Sequence, residues 1–78
     1  MSVKVQVTGR NNRAVAKAEV VVKWRSGGLS KEYTNNSGMA DLKCSGGTIE
    51  YVAVWGEKVL GTLAVGNDDI IEVTYSKG

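Results

Sequence analysis

The sequence has no histidine and no proline, and Cys44 is its only cysteine. Histidine is the usual general base near neutral pH, so its absence excludes Ser-His, Cys-His and histidine-metal sites. A single cysteine cannot form an intramolecular disulfide, which excludes the disulfide framework of a small secreted scaffold. Carboxylate or lysine chemistry stays open in principle, but we predict a protein that is not an enzyme and that has no catalytic residue, no metal and no cofactor.

The sequence also has little excess charge and no long apolar run. Ten Lys and Arg residues oppose eight Asp and Glu residues, and the basic residues are spread from Lys4 to Lys77. A nucleic-acid binder carries a concentrated basic face and a transmembrane helix needs about 20 apolar residues, so no nucleic acid and no membrane is predicted as a partner. The first residues alternate between apolar and polar, unlike a signal peptide. A cytoplasmic location is predicted if the chain is the full gene product, and an extracellular location stays open if it is an excised module.

The composition is that of a folded domain. Of 78 residues, 42% are hydrophobic and 23% are charged, which is far from the polar, highly charged composition of disordered chains. We predict one domain over residues 1–78. A domain of this size buries only about 60% of the surface that its unfolded chain exposes, so we expect its stability to be small.

Apolar residues recur at every second position, which is the period of a β-strand with one buried face. Val3, Val5 and Val7 show the pattern first, and the clearest example runs from Ala18 to Arg25. Glycine and asparagine turns separate these segments, and no two-turn helix is predicted. The predicted strands are residues 3–8, 18–25, 29–34, 40–44, 48–55, 59–65 and 69–75.

About seven short strands with turns roughly every 8–12 residues are typical of an all-β, antiparallel two-sheet sandwich of the immunoglobulin-like type. The turn at residues 35–38 predicts a hairpin between the strands on either side of it. In residues 48–55 two inward sets are open, Val52 with Val54 or Ile49 with Tyr51, Ala53 and Trp55, and Glu50 favours the latter. The predicted interior consists of Val5, Val7, Val20, Val22, Leu42, Ile49, Tyr51, Ile71 and Val73.

Three segments of the sequence carry recognisable strand and turn motifs. Residues 9–22 have a glycine turn followed by the strand opening AVAKAEVVV. Residues 34–42, TNNSGMADL, fit the pattern Thr-x-x-x-Gly-x-Ala-x-Leu, and residues 47–56 supply the next strand. In this order and spacing the segments resemble the carboxypeptidase regulatory-like, or transthyretin-like, sandwich domains. The proline usual near Ala14 and the glycine usual near Lys17 are absent. The resemblance implies a transthyretin-like sandwich that acts as a structural, adhesive or chaperone-like module beside other proteins.

Two features of the sequence could carry chemistry, but each has a simpler structural interpretation. Cys44 lies in phase with Ala40 and Leu42, which predicts a buried, unreactive thiol and not a nucleophile. The run from Asn67 to Asp69 could offer oxygen ligands to Ca²⁺, which needs six to eight of them, but Asn and Asp are also favoured in turns. A turn is the prediction here.

The candidate binding residues lie on one polar strand and at one strand end. Residues 29–34 are polar enough for a sheet edge, whose unpaired N–H and C=O groups can pair with a strand of another protein, with Lys31 and Glu32 tuning the partner. Trp55 precedes a glycine at a strand end, and an exposed indole there, with Tyr33 or Tyr51 nearby, would suit a glycan or another small ligand. We predict a protein-interaction module that uses the sheet edge, with a carbohydrate- or ligand-binding module as the alternative.

Overall fold

The computed structural model describes residues 2–43 and 47–75, which form eight β-strands and no α-helix. A 3-10 turn at Arg10–Asn12 follows the first strand. In chain order the strands are β1 Ser2–Thr8, β2 Glu19–Trp24, β3 Leu29–Tyr33, β4 Met39–Lys43, β5 Thr48–Val54, β6 Glu57–Leu60, β7 Leu63–Ala64 and β8 Ile70–Thr74.

The strands form two packed sheets, so the predicted two-sheet sandwich is confirmed. One sheet has three strands in the order β4-β1-β8, and the other has the order β3-β2-β5-β6 with β7 also paired to β5. The pairs are antiparallel except β1 and β8, which run parallel with Lys4 beside Ile70. The parallel pair differs from the all-antiparallel arrangement predicted.

The core lies between the sheets and consists of the inward residues of each alternating strand. In β1 and β2 every second side chain is fully buried, including Val5 and Val20. Each fully buried aliphatic side chain of this size contributes about 1.5–3 kcal/mol relative to an exposed one. The residues predicted inside and found buried are Val5, Val7, Val20, Val22, Leu42, Ile49, Ile71 and Val73.

A β-bulge in β5 changes which of its residues face the core. Lys23 lies opposite Tyr51, whereas the next residue of β2, Trp24, lies opposite Ile49. Glu50 is therefore an extra residue of β5 with no partner in β2. An inserted residue reverses the alternation of side chains on the strand that carries it.

The prediction that Ile49, Tyr51, Ala53 and Trp55 share the inward face of β5 is therefore wrong for the two aromatic residues, whereas Ala53 is buried. After the bulge the inward residues are Val52 and Val54, which are fully buried together with Ile49. Tyr51 is half-buried on the outer face, and Trp55 is exposed beyond the end of the strand. Both inward sets considered from the sequence thus contribute, one on each side of the bulge.

The predicted turn at residues 35–38 is present, but it does not form a hairpin. Within this turn the Gly38 N–H donates to the Asn35 carbonyl at 2.9 Å. The strands that it joins, β3 and β4, belong to different sheets, so the turn is a corner of the sandwich. Gly38 has φ of +77°, and a Cβ there would lie 2.6 Å from the Val7 carbonyl oxygen, so only glycine fits.

Other differences concern strand ends and residues outside the described range. The strand predicted at 59–65 is split into β6 and β7 because the chain leaves the ladder at Gly61 and Thr62. The prediction that Cys44 is buried lies outside the described residues. Within residues 2–43 and 47–75, no helix has the length and apolar character needed to cross a membrane.

Candidate functional site

β3 is the outermost strand of its sheet, as the polar character of residues 29–34 predicted. At its start the Trp24 N–H donates to the Gly28 carbonyl at 2.8 Å. At its end the Thr34 N–H donates to the Ala18 carbonyl at 3.0 Å. Because alternate residues of an antiparallel strand bond the same neighbour, the even-numbered residues of β3 bond β2. The residues whose N–H and C=O groups point away from β2 are Leu29, Lys31 and Tyr33, and we call these three residues the β3 edge.

The side chains of the β3 edge lie on the outer face of the sheet and are exposed. Leu29 is 65% exposed and Tyr33 is 57% exposed, and Lys31 lies between them. Glu32 is exposed too, but it pairs with Val20 and so projects from the opposite face. Of the four residues predicted to bind, Lys31 and Tyr33 are therefore neighbours on one face, and Glu32 is not.

Two polar side chains on the inner face of β3 hold this strand in place. The Trp24 indole Nε1–H donates to Ser30 Oγ at 3.0 Å, and the Ser30 hydroxyl donates to the Lys43 carbonyl of β4. The buried Thr34 hydroxyl accepts from the Ala18 N–H at 2.9 Å and donates to the Val15 carbonyl. β3 is thus fixed at both ends, and no backbone group of residues 2–43 or 47–75 bonds its outward N–H and C=O groups.

The outer face continues from the β3 edge across β2 to β5. Lys23 lies opposite Leu29 on one side and Tyr51 on the other. The Lys58 ammonium sits 4.7 Å from the centre of the Tyr51 ring, which is a cation–π contact. Beside this pair a shallow depression of about 520 Å³ is bounded by β5, β6 and the residues that follow β6. The face combines apolar and basic groups and is open to solvent.

Trp55 occupies an unusual backbone position. It forms a two-residue turn with Gly56 between β5 and β6, and both residues have positive φ, 49° and 82°. Such turns favour asparagine, aspartate or glycine, because a side chain with positive φ costs about 1–2 kcal/mol. The indole is 50% exposed. A bulky aromatic residue is thus held at a tight tip where the backbone disfavours it.

The aromatic partner of Trp55 is Tyr75, which the sequence reasoning did not include. The two rings meet edge to face with centroids 5.2 Å apart and planes at 69°. Tyr75 follows β8, and its N–H donates to the Thr8 carbonyl at 2.8 Å. Tyr33 lies on the β3 edge, and Tyr51 contacts Lys58, so neither was the ring found against Trp55. Only the alternation of β8, extended by one residue, could have suggested Tyr75.

The acidic residues near β8 form a turn. Asp69 Oδ2 accepts from the Gly66 N–H at 2.7 Å, and Asn67 Oδ1 accepts from the Ser2 N–H at 3.0 Å. Asp68 has φ of 66°, a value that Asp tolerates in turns. Within the described residues no three acidic, cysteine or histidine side chains are grouped closely enough to hold a metal ion.

No family model matches the chain, and no curated protein matches it.

Proposed function

We propose that this chain is a protein-interaction module that binds an extended segment of a partner as an additional strand beside β3. The supporting observation is the β3 edge, where the N–H and C=O groups of three alternating residues point away from the sheet. Backbone bonds of this kind provide affinity in strand addition, and the side chains on either side provide specificity. The proposal includes that the chain is not an enzyme, for which the absence of histidine is the main support.

The side chains of the β3 edge define which strand would fit. In an antiparallel pair, residues that exchange hydrogen bonds carry their side chains on the same face. The residue opposite Lys31 would favour an acidic side chain. The residues two positions away, opposite Leu29 and Tyr33, would favour apolar ones. The proposed ligand is therefore an extended segment with a central acidic residue and an apolar residue two positions to each side.

The resemblance to carboxypeptidase regulatory-like, or transthyretin-like, domains stays part of this proposal. The two-sheet sandwich and the turn that leads into the Ala40 and Leu42 core positions are compatible with it. A module that accompanies other proteins is the role that such a resemblance implies.

The experiment uses a seven-residue peptide with a central glutamate, isoleucine two residues to each side of it and serine elsewhere. Binding is followed by NMR of the ¹⁵N-labelled chain, together with hydrogen exchange of its backbone amides. In the free chain the amides of the β3 edge should exchange fast, and those of Ser30 and Glu32 slowly, because only the latter bond β2. Peptide binding should slow exchange at the β3 edge about tenfold or more and leave the inward amides unchanged.

A matched pair of variants tests the backbone contribution. Lys31→Pro removes one outward N–H without removing a bond to β2, and Lys31→Ala removes the same charge but keeps the N–H. We expect Lys31→Pro to weaken peptide binding about tenfold more than Lys31→Ala does. Equal affinity in the two variants, or protection that appears away from β3, would overturn the proposal.

Trp55 supports a second candidate function, the binding of a glycan or another small ligand. The observation in its favour is the exposed indole held in a positive-φ turn, since strained backbone is concentrated at functional positions. Trp55→Asn removes the ring and keeps a residue that suits the turn. Quenching of tryptophan fluorescence by a member of a glycan panel, lost in Trp55→Asn, would favour this function; no change across the panel would reject it.

A further inference from the structure

The three-stranded sheet has an open edge of its own at β8. The Lys4 N–H donates to the Asp69 carbonyl at 2.8 Å just before this strand, and the Tyr75 N–H donates to the Thr8 carbonyl just after it. Alternate residues of β8 therefore bond β1, and the others point away from it. The residues that point away are Ile70, Glu72 and Thr74, and we call them the β8 edge. No further strand of the described chain lies beside them.

The β8 edge matches the side-chain pattern that the β3 edge would select at two of three positions, the acidic centre Glu72 and the apolar Ile70, with Thr74 at the third. Glu72 is the central residue of the β8 edge, as Lys31 is the central residue of the β3 edge. Ile70 is 58% exposed on the outer face of its sheet, as Tyr33 is on the other sheet. Both strands have five residues, so their outward groups match in number. An antiparallel pair would place Lys31 beside Glu72, Tyr33 beside Ile70 and Leu29 beside Thr74.

We propose that the strand bound by the β3 edge is β8 of a second copy of this chain, so that copies associate head to tail. This inference rests on the proposed function, because it uses the same edge. The opposite charges of Lys31 and Glu72 would lie directly across from each other, an arrangement that stabilises a strand pair by about 0.2–1 kcal/mol. The exposed Ile70 side chain would be covered by Tyr33 of the other copy.

The same charges oppose association of like edges. Two β3 strands paired in antiparallel fashion about their centres would place Lys31 opposite Lys31, and two β8 strands would place Glu72 opposite Glu72. Like charges directly across a ladder destabilise it. The charges of Lys31 and Glu72 thus favour pairing of β3 with β8 over pairing of two like strands.

The position of the two edges determines the form of the assembly. β3 lies over β4 on one side of the sandwich, and β8 lies near β6 on the other side. A contact between two different surfaces leaves one of each unused, so it continues into a ring or an open chain of copies. One strand pair buries less than the area of a standard stable interface, so association is expected to be weak and concentration-dependent.

Charge reversal at each edge provides the test, with sedimentation velocity over a wide concentration range as the measurement. Lys31→Glu and Glu72→Lys should each weaken association of the chain about tenfold. The double variant keeps the formal net charge of +2 and should restore association. Mixing the two single variants should restore it too, because each edge then finds an opposite charge on the other chain.

Mixing also controls for folding, since an unfolded variant could not complement its partner. A chain that stays monomeric at millimolar concentration, or self-association that neither charge reversal changes, would overturn the inference. The peptide experiment separates this failure from that of the proposed function. Protection of the β3 edge by the peptide in a chain that does not self-associate would leave strand addition standing with a different partner.

Discussion

β3 and β4 follow each other in the chain and form the two edges on the same side of the sandwich, yet their outward backbone groups differ. The Val7 N–H donates to the Gly38 carbonyl at 2.7 Å, so alternation leaves three residues of β4 with backbone groups that point away from β1. These residues are Met39, Asp41 and Lys43, and we call them the β4 edge. On β3 the corresponding residues are those of the β3 edge.

The chain itself bonds three of the six outward backbone groups of the β4 edge. The Asn35 N–H donates to the Met39 carbonyl at 2.9 Å, and the Met39 N–H donates to Asn35 Oδ1 at 3.1 Å. The Lys43 carbonyl accepts from the Ser30 hydroxyl. A charged residue, Asp41, is at the centre. Capped groups and a charge are the means by which native sheets avoid adding strands at an edge.

The β3 edge has a central charge in Lys31, but among the described residues no comparable group caps it. The side chains of Ser30 in β3 and of Thr34 just after it bond to other parts of the fold instead, so β3 helps to cap the β4 edge and leaves its own edge open. The β4 edge is therefore partly protected against the addition of another strand, whereas the adjacent β3 edge is available for it.

The largest effect is expected at the corner that separates the two edges. Gly38→Ala introduces a side chain at positive φ and places its Cβ against the Val7 carbonyl. We expect a loss of about 3–4 kcal/mol in the free energy of unfolding. Urea denaturation followed by circular dichroism measures it. Gly28→Ala is the control, since no atom lies within 4 Å of its added Cβ, and it should change stability by less than about 0.5 kcal/mol.

The next effect distinguishes inward from outward amides of β3. Glu32→Pro removes an N–H that bonds β2 and leaves the Val20 carbonyl without its donor, so we expect a loss of about 2–3 kcal/mol. Lys31→Pro removes an outward N–H and should cost less than about 1 kcal/mol. Unfolding midpoints of the two variants, measured side by side, provide the comparison. Equal losses would mean that the bonding pattern of β3 differs from the one described.

The smallest effect would reduce the difference between the edges. Ser30→Ala leaves the Trp24 indole N–H without its acceptor and frees the Lys43 carbonyl, which should cost about 1–2 kcal/mol of stability. The β4 edge would gain one free acceptor. Hydrogen exchange and the emission of Trp24 report both changes, and Ser30→Thr, which keeps a hydroxyl, should retain most of the stability. An unchanged Trp24 environment would contradict this bonding scheme.

Much of the fold was predictable because most strands keep one unbroken alternation. Val5, Val20 and Leu42 each lie in such a strand, and the polar residues 29–34 predicted an edge correctly. The bulge at Glu50 was not predictable, since alternation by itself does not reveal an inserted residue. Turn chemistry located the Gly38 turn, but the same residues suit a hairpin and a corner between sheets.

The candidate site was predictable at the level of the strand and not of its geometry. The exposure of Lys31 and Tyr33 on one face follows from alternation, but their outward backbone groups depend on the register with β2. The contact between Trp55 and Tyr75 joins the ends of strands in different sheets, and no local pattern encodes it. The β8 edge was missed because the parallel pairing of β8 with β1 cannot be deduced from short-range signals.

That parallel pair also affects the order of folding. Lys4 lies beside Ile70, so the central strand of the three-stranded sheet is completed by the last strand of the described chain. Loops of this length close slowly, and topologies dominated by such pairings fold in milliseconds to seconds. Until β8 docks, β1 has an unpaired side that the native protein lacks. During that interval β8 of one molecule can complete β1 of another, and domain swapping competes with folding.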